Sequence, residues 1–132
     1  MRSTLIAYVV TAVIFFGMDF AWLSFANGAV YKPRIGQLLL ESPNLPIAAG
    51  FYLLYVIGIL AFAVFPAIEQ GSLLRAIWGG ALLGLVAYGT YDVTNLATLI
   101  GWSSTVSVID MAWGTFATAT AATAATLVLR AL

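Results

Sequence analysis

Four long apolar stretches dominate this 132-residue sequence and decide what kind of fold it can adopt. A helix needs about 20 mainly apolar residues to cross roughly 30 Å of hydrocarbon. The segments that meet this length are residues 4–26, 47–66, 73–92 and 106–129. The sequence therefore predicts an all-α integral membrane protein, a single domain over residues 1–132 with four transmembrane helices.

The composition agrees with a bilayer as the solvent and excludes several classes of function. Hydrophobic residues make up 63% of the chain, whereas soluble domains are about half apolar. The formal net charge is zero and the five cations are scattered, so we expect no nucleic-acid partner. The chain contains no Cys and no His, which excludes thiolate nucleophiles, imidazole bases and most zinc sites. The sequence indicates no particular cofactor or metal.

The connections between the spans predict how the helices are arranged. Helices joined by short turns alternate in direction, which gives an up-down-up-down bundle with both termini on one side. Asp19 lies near the C-terminal end of the first span, Asp92 and Asn95 lie at the C-terminal end of the third, and Asp110 lies near the N-terminal end of the fourth. In this arrangement all four polar residues lie on the side opposite the termini. We therefore expect a one-sided polar layer.

The long first connection, residues 27–46, falls on the same side as the polar layer. It carries Lys32 and Arg34, which are the predicted charge partners of the buried acids. Its "IGQLLL" stretch is typical of a short interfacial helix that ends before the prolines.

Small residues in the third span indicate that its acid lies on a packing face. Ala76, Gly80, Gly84, Tyr88 and Asp92 follow one another at intervals of four and so share one face of a helix. In membranes such small residues let two helix backbones approach closely.

The fourth span repeats this pattern, because Asp110 shares a stripe with Gly114, Ala117, Ala121 and Ala125 or their helical neighbours. Small-residue faces also favour association between chains. The residues predicted to serve a homo-oligomer are Gly80, Gly84, Gly114 and Ala121.

Acidic and aromatic side chains together define the candidate ligand site. Carboxylates beside aromatic faces suit an organic cation, oxygen ligands alone suit hard metal ions, and neighbouring carboxylates exchange protons as a coupled group. The alternative is that the acids lie at helix ends facing water and the aromatics form an interfacial belt. The candidate ligand-binding residues are Asp19, Trp22, Tyr91, Asp92, Asn95, Asp110 and Trp113.

Several motifs spread over nearly the whole chain resemble a known family. They are "MDFAWL", "YKPRIGQLL", "PNLPIAAGFYLLY", "VAYGTYDVTNLATLIGW" and "DMAWGT". Together they resemble the domain of unknown function 2177 family, a group of small bacterial inner-membrane proteins. The resemblance implies a four-helix integral membrane protein and supplies no activity. It also implies that Asp19, Asp92, Asn95, Asp110 and Trp113 occupy motif positions.

The sequence favours one function among three. The first is binding or translocation of a small cation, a proton or a cationic ligand by the polar layer. The second is a structural or accessory subunit whose polar network sets the helix packing, and the third is a lipid-modifying enzyme or its partner. Without a His, a Cys or a nucleophile motif, the enzyme hypothesis is the weakest.

The expected location is the bacterial inner membrane. Arg2, Arg75 and Arg130 lie on the side of the termini, against Lys32 and Arg34 in the first connection. Because positive residues accumulate in the cytoplasm, this distribution favours cytoplasmic termini.

Overall fold

The computed structural model describes residues 2–132 and is helical, with no strand anywhere in that range. Four helices are long and apolar enough to cross a membrane. They span Arg2–Leu38, Leu45–Gln70, Leu73–Thr98 and Ser104–Arg130. The first comprises α1 (Arg2–Ala26), a π turn (Asn27–Tyr31), α2 (Lys32–Ile35) and a 3-10 turn (Gly36–Leu38); the second comprises α3 (Leu45–Ile59), a π turn (Leu60–Val64) and α4 (Phe65–Gln70). The third is α5 (Leu73–Thr98) and the fourth is α6 (Ser104–Arg130).

Local signals in the sequence determine where the last three helices begin and end. The side chains of Asn44, Ser72 and Ser103 accept hydrogen bonds from the backbone N–H three residues ahead and cap α3, α5 and α6. Gly71 ends α4 in the left-handed conformation, with a φ of 63°, which glycine adopts without steric cost.

The first helix is longer than the sequence predicted, because it continues through the connection after Ala26. A π turn over Asn27–Tyr31 leads directly into α2, which contains Pro33. A proline has no N–H for the carbonyl four residues earlier, here that of Ala29. The Arg34 guanidinium donates to the carbonyls of Ala29 and Val30 at 3.3 and 3.2 Å. The helix can therefore pass its proline, and of "IGQLLL" only Gly36–Leu38 forms a separate 3-10 turn.

The second helix passes Pro66, which follows the π turn Leu60–Val64, in the same way: an arginine donates to the carbonyl that the proline leaves free. The carbonyl four residues before this proline belongs to Phe62, and it accepts a hydrogen bond of 3.1 Å from the Arg75 guanidinium. Gly79 leaves room for this guanidinium, since a Cβ at that position would overlap Arg75. Arg75 thus joins α5 to the second helix while it satisfies a backbone group that the bilayer cannot solvate.

The tightest contact in the bundle is between α5 and α6. A Cβ at Gly84 would overlap the backbone carbonyl of Gly114, and a Cβ at Gly114 would overlap the ring of Tyr88. Gly80 packs in the same way against the backbone of Thr118. The small-residue stripes therefore lie on the buried faces of the two helices, as the sequence predicted.

This contact also revises the expected surface for an oligomer. Gly80, Gly84, Gly114 and Ala121 are all buried inside the chain, where they serve the packing of its own helices. These four residues leave no free face for a second copy. Association between copies of the chain stays a prediction.

The remaining helices surround this pair unevenly. α1 packs against α6, and the second helix contacts α5 through Leu60–Val64 and α4. The backbone of α3, in contrast, lies farther from that of α5, and the two helices meet through the rings of Tyr55 and Tyr88, with centroids 6.4 Å apart. The buried core lies where Phe15, Tyr55 and Ile59 meet the alanines of α6. A gap therefore remains between α3 and the C-terminal half of α5.

The α5–α6 contact predicts an unequal response to two glycine substitutions. Gly84→Ala should lower the free energy of unfolding by about 1–3 kcal/mol, because the added methyl group forces two backbones apart. Gly17→Ala in α1 is the control, since nothing lies within 4 Å of a Cβ there. Thermal unfolding in detergent measures both. Equal stability of the two variants would show that α5 and α6 do not pack this closely.

The Arg75 hydrogen bond predicts coupling to Pro66. Arg75→Gln should cost about 1.5–3 kcal/mol of stability, but less in a Pro66→Ala background, where residue 66 regains an N–H for the Phe62 carbonyl. Unfolding of the four proteins in a double-mutant cycle measures this coupling. Arg130→Gln serves as the control for loss of a positive charge. Additive costs would mean that Arg75 stabilises the protein without compensating for the proline.

Candidate functional site

A cavity of about 610 Å³ lies between the helices and is surrounded by the residues that carry the chain's polar chemistry. This volume is within the range of about 300–1,000 Å³ that is typical of small-molecule sites. Most of its wall is apolar. The lining residues are Asp19, Leu23, Asn27, Tyr31, Ile35, Leu39, Phe51, Tyr52, Tyr55, Ala87, Tyr88, Thr90, Tyr91, Trp102, Val106 and Asp110.

Helix periodicity explains one wall of this cavity. Six of the lining residues are spaced at intervals of four along the first helix and its extension, from Asp19 to Leu39. Positions four apart lie on the same face of a helix. Since the helix continues past Ala26 through the π turn, the face that lines the cavity reaches from Asp19 to Ile35 without a break.

The charges around the cavity are all of one sign. Asp19 and Asp110 line it, and no Lys or Arg is among the lining residues. Asp19 is buried, and its carboxyl group lies near Tyr52 and Trp113. Two of the five acidic residues of the chain therefore face one small and largely apolar space.

A chain of hydrogen bonds holds Asp110 in place. The Trp22 indole N–H donates to the Tyr31 hydroxyl at 3.0 Å, and this hydroxyl donates to Oδ1 of Asp110 at 2.6 Å. The rings of Trp22 and Trp113 stack with centroids 4.7 Å apart and planes 7° from parallel. The first and fourth helices are thus joined by a polar and aromatic connection beside the cavity.

Asp92 is the most unusual residue near the cavity. Its side chain is fully buried next to the Asp110 carboxyl group, and neither carboxyl oxygen accepts a hydrogen bond from an N–H or hydroxyl donor among residues 2–132. Burial of a polar group without a partner is costly, and burial of an isolated charge costs far more. Asp92 is not itself among the residues that line the cavity.

The other predicted site residues occupy different positions relative to the cavity. Tyr91 lines it and meets Trp102 edge-on at a centroid distance of 5.6 Å. Trp113 stacks on Trp22, and its buried indole N–H has no partner in the described part of the chain. Asn95 is half-buried one helical turn beyond Asp92 and does not line the cavity.

The predicted charge partners of the acids are placed differently from one another. Arg34 uses its guanidinium on the carbonyls of Ala29 and Val30. Lys32 is exposed at the start of α2. Their pairing with the acids stays a prediction.

The acidic side chains around the cavity determine which class of ligand it can hold. Within residues 2–132, no three acidic side chains are close enough together to hold a metal ion. Calcium takes six to eight oxygen ligands, usually with several carboxylates among them. Two carboxylates with aromatic neighbours fit calcium poorly and suit an organic cation.

Four tyrosines that line the cavity were not among the predicted site residues: Tyr31, Tyr52, Tyr55 and Tyr88. Tyr55 shares a hydrogen bond of 2.8 Å with the hydroxyl of Thr118. A tyrosine within an apolar span carries a hydroxyl that needs a partner. That need was the signal in the sequence, because Tyr52 and Tyr55 lie in a span without any charge.

Comparisons with known proteins give one match. A family model described as "Predicted membrane protein (DUF2177)" matches residues 4–127. Neither the curated proteins nor the solved structures include a match to the chain.

The contrast between Asp92 and Asp110 predicts opposite effects of the same substitution. Asp110→Leu should lower the free energy of unfolding by about 1–3 kcal/mol, because it leaves the Tyr31 hydroxyl without its acceptor. Asp92→Leu should leave stability unchanged or raise it, because a similarly branched apolar side chain replaces an unpartnered carboxyl group. Thermal unfolding without added ligand measures both. A large loss in Asp92→Leu would instead assign Asp92 to a structural network.

Proposed function

The chain belongs to the DUF2177 family of predicted membrane proteins, and from this premise we propose that it binds a small organic cation in the cavity between its helices. A protein of this family lies in the lipid bilayer. The bacterial inner membrane, the up-down-up-down order and the cytoplasmic termini stay predictions.

One observation carries the proposal: two acids face a cavity that no basic residue lines. Asp19 and Asp110 contribute their carboxyl groups, and apart from Asn27 and Thr90 the remaining wall is apolar or aromatic. Ionisable residues within a membrane are expensive and usually mark a functional site. A bound cation would compensate for these carboxylates where no Lys or Arg does so.

The aromatic residues around the acids favour an organic cation. Five tyrosines line the cavity together with Trp102. The faces of aromatic rings attract ammonium groups, most strongly where water is excluded. Tyrosine hydroxyl groups also accept hydrogen bonds from a protonated amine. The site therefore suits a primary to quaternary ammonium compound.

Asp92 supports the same proposal from outside the cavity wall. A buried carboxyl group without a partner is a cost that packing alone does not explain. Its position beside Asp110 adds to the negative potential at the site whenever it is ionised. The accumulation of acids is thus better explained by a positively charged ligand than by stability.

A structural role is the second candidate, and the Trp22–Tyr31–Asp110 chain favours it. These hydrogen bonds join the first and fourth helices. Polar contacts between membrane helices contribute only about 0.6 kcal/mol on average, so this network would specify helix positions more than it strengthens the fold. It accounts for Asp110 and leaves Asp19 and Asp92 unexplained.

Ligand-dependent stability separates the two candidates. Tetramethylammonium, tetraethylammonium and choline should each be tested for a rise in the unfolding temperature of the purified protein. A ligand at one hundred times its dissociation constant adds about 2.7 kcal/mol to the stability of the folded state. Asp19→Asn and Asp110→Asn should abolish this effect, since each removes one charge and keeps the shape of the side chain.

The matched control is Glu69→Gln, which removes an exposed acid that does not line the cavity. It should retain the full response. If no cation stabilises the wild-type protein, or if all three variants respond as the wild type does, the proposal is wrong and the structural role is favoured.

A further inference from the structure

The residues that line the cavity differ in their exposure from one side to another. Ile35 and Val106 line the end near the connecting segments, and they are only 2% and 1% exposed. Other lining residues are exposed: Leu23 of α1 by 43%, Leu39 of the first connection by 39%, Phe51 of α3 by 61% and Tyr91 of α5 by 56%. The two most exposed of these lie on α3 and α5, so part of the accessible rim lies along the side of the bundle.

Helix packing explains this opening. The backbone of the second helix approaches α5 most closely through Leu60–Val64 and α4, whereas α3 reaches α5 through side chains, as where Tyr55 meets Tyr88 edge-on. At one end, Arg75 of α5 joins the two helices by donating to the Phe62 carbonyl. Toward the other end the two backbones are farther apart, and Phe51 of α3 and Thr90 of α5 both line the cavity.

This gap faces the hydrocarbon of a membrane. α3 and α5 belong to two of the four helices that are long and apolar enough to cross a bilayer. Exposed side chains on these two helices are mainly apolar, among them Leu53 of α3 and Val86 of α5. A molecule that enters between α3 and α5 would therefore come from the lipid phase rather than from water.

We propose that the ligand is a membrane amphiphile with a cationic amine or quaternary ammonium headgroup and an alkyl chain. The headgroup would lie between Asp19 and Asp110. The chain would extend along the apolar wall past Ala87 and through the gap between α3 and α5. This inference rests on the proposed function and specifies the class of its ligand.

Charge and polarity favour this occupant over other amphiphiles. An anionic headgroup would meet two carboxyl groups and no lining cation. A neutral sugar headgroup would leave the negative potential of the site uncompensated. A soluble cation would fill the acidic end and leave the apolar wall without contacts. Only a cationic amphiphile uses both parts of the cavity.

The experiment compares three compounds at matched concentrations: decyltrimethylammonium, tetramethylammonium and decyl maltoside. The measurement is the unfolding temperature of the wild-type protein relative to the Asp19→Asn/Asp110→Asn double variant, so that general detergent effects cancel. Decyltrimethylammonium should raise the unfolding temperature at a concentration at least tenfold lower than tetramethylammonium does. Decyl maltoside should cause no change in the unfolding temperature that depends on the two acids.

A substitution in the apolar part of the cavity tests where the alkyl chain of the ligand lies. Ala87→Phe should remove most of the advantage of decyltrimethylammonium and leave the response to tetramethylammonium unchanged. Leu85→Phe, on the outer face of α5, is the matched control. If Ala87→Phe does not fold, Leu23→Trp fills the same cavity from α1.

The experiment distinguishes failure of this inference from failure of the proposed function. If the two cations are equally potent and their effect still depends on Asp19 and Asp110, the inference that the ligand is an amphiphile is wrong and the proposed function stands. No response to either cation that depends on the acids would overturn both. A response to decyl maltoside as large as that to decyltrimethylammonium would mean that the cavity binds the alkyl chain of an amphiphile but contains no cation site.

Discussion

The close approach of α5 and α6 at Gly84 and Gly114 is the contact on which the rest of the structure depends. Because neither residue has a side chain, the two backbones meet and the Tyr88 ring lies directly over Gly114. This approach brings Asp92 beside Asp110 and turns Tyr88 toward the cavity. A bundle without this contact would hold the same residues too far apart to form one site.

A second constraint is that no backbone group within a bilayer can rely on water. The chain nevertheless places Pro33 and Pro66 within its long helices. At each proline an arginine donates to the carbonyl four residues earlier, Arg34 to Ala29 and Arg75 to Phe62. Two of the five cations thus serve the backbone, and neither of them lines the cavity.

The sequence predicted the helical class and the buried stripe that ends at Asp92, because apolar length and a spacing of four are written directly in the residue order. It did not predict the contribution of Tyr52 and Tyr55. Their span carries no charge, so its hydrophobic pattern does not set how the helix is rotated about its axis, and the need of the tyrosine hydroxyls for partners was the signal that the prediction left unused. The extension of the first helix was missed as well, because Pro33 is normally a sign that a helix ends.

The π turn Asn27–Tyr31 has a consequence for the length of the chain. A π turn accommodates one more residue than the α-helix around it, and each residue advances an α-helix by about 100°. The position of Tyr31 over Asp110 is therefore set by the count of residues after α1. Relatives that differ by one residue in this segment would carry the same side chains and yet direct Tyr31 away from the cavity, so a change of length alone could separate members with the site from members without it.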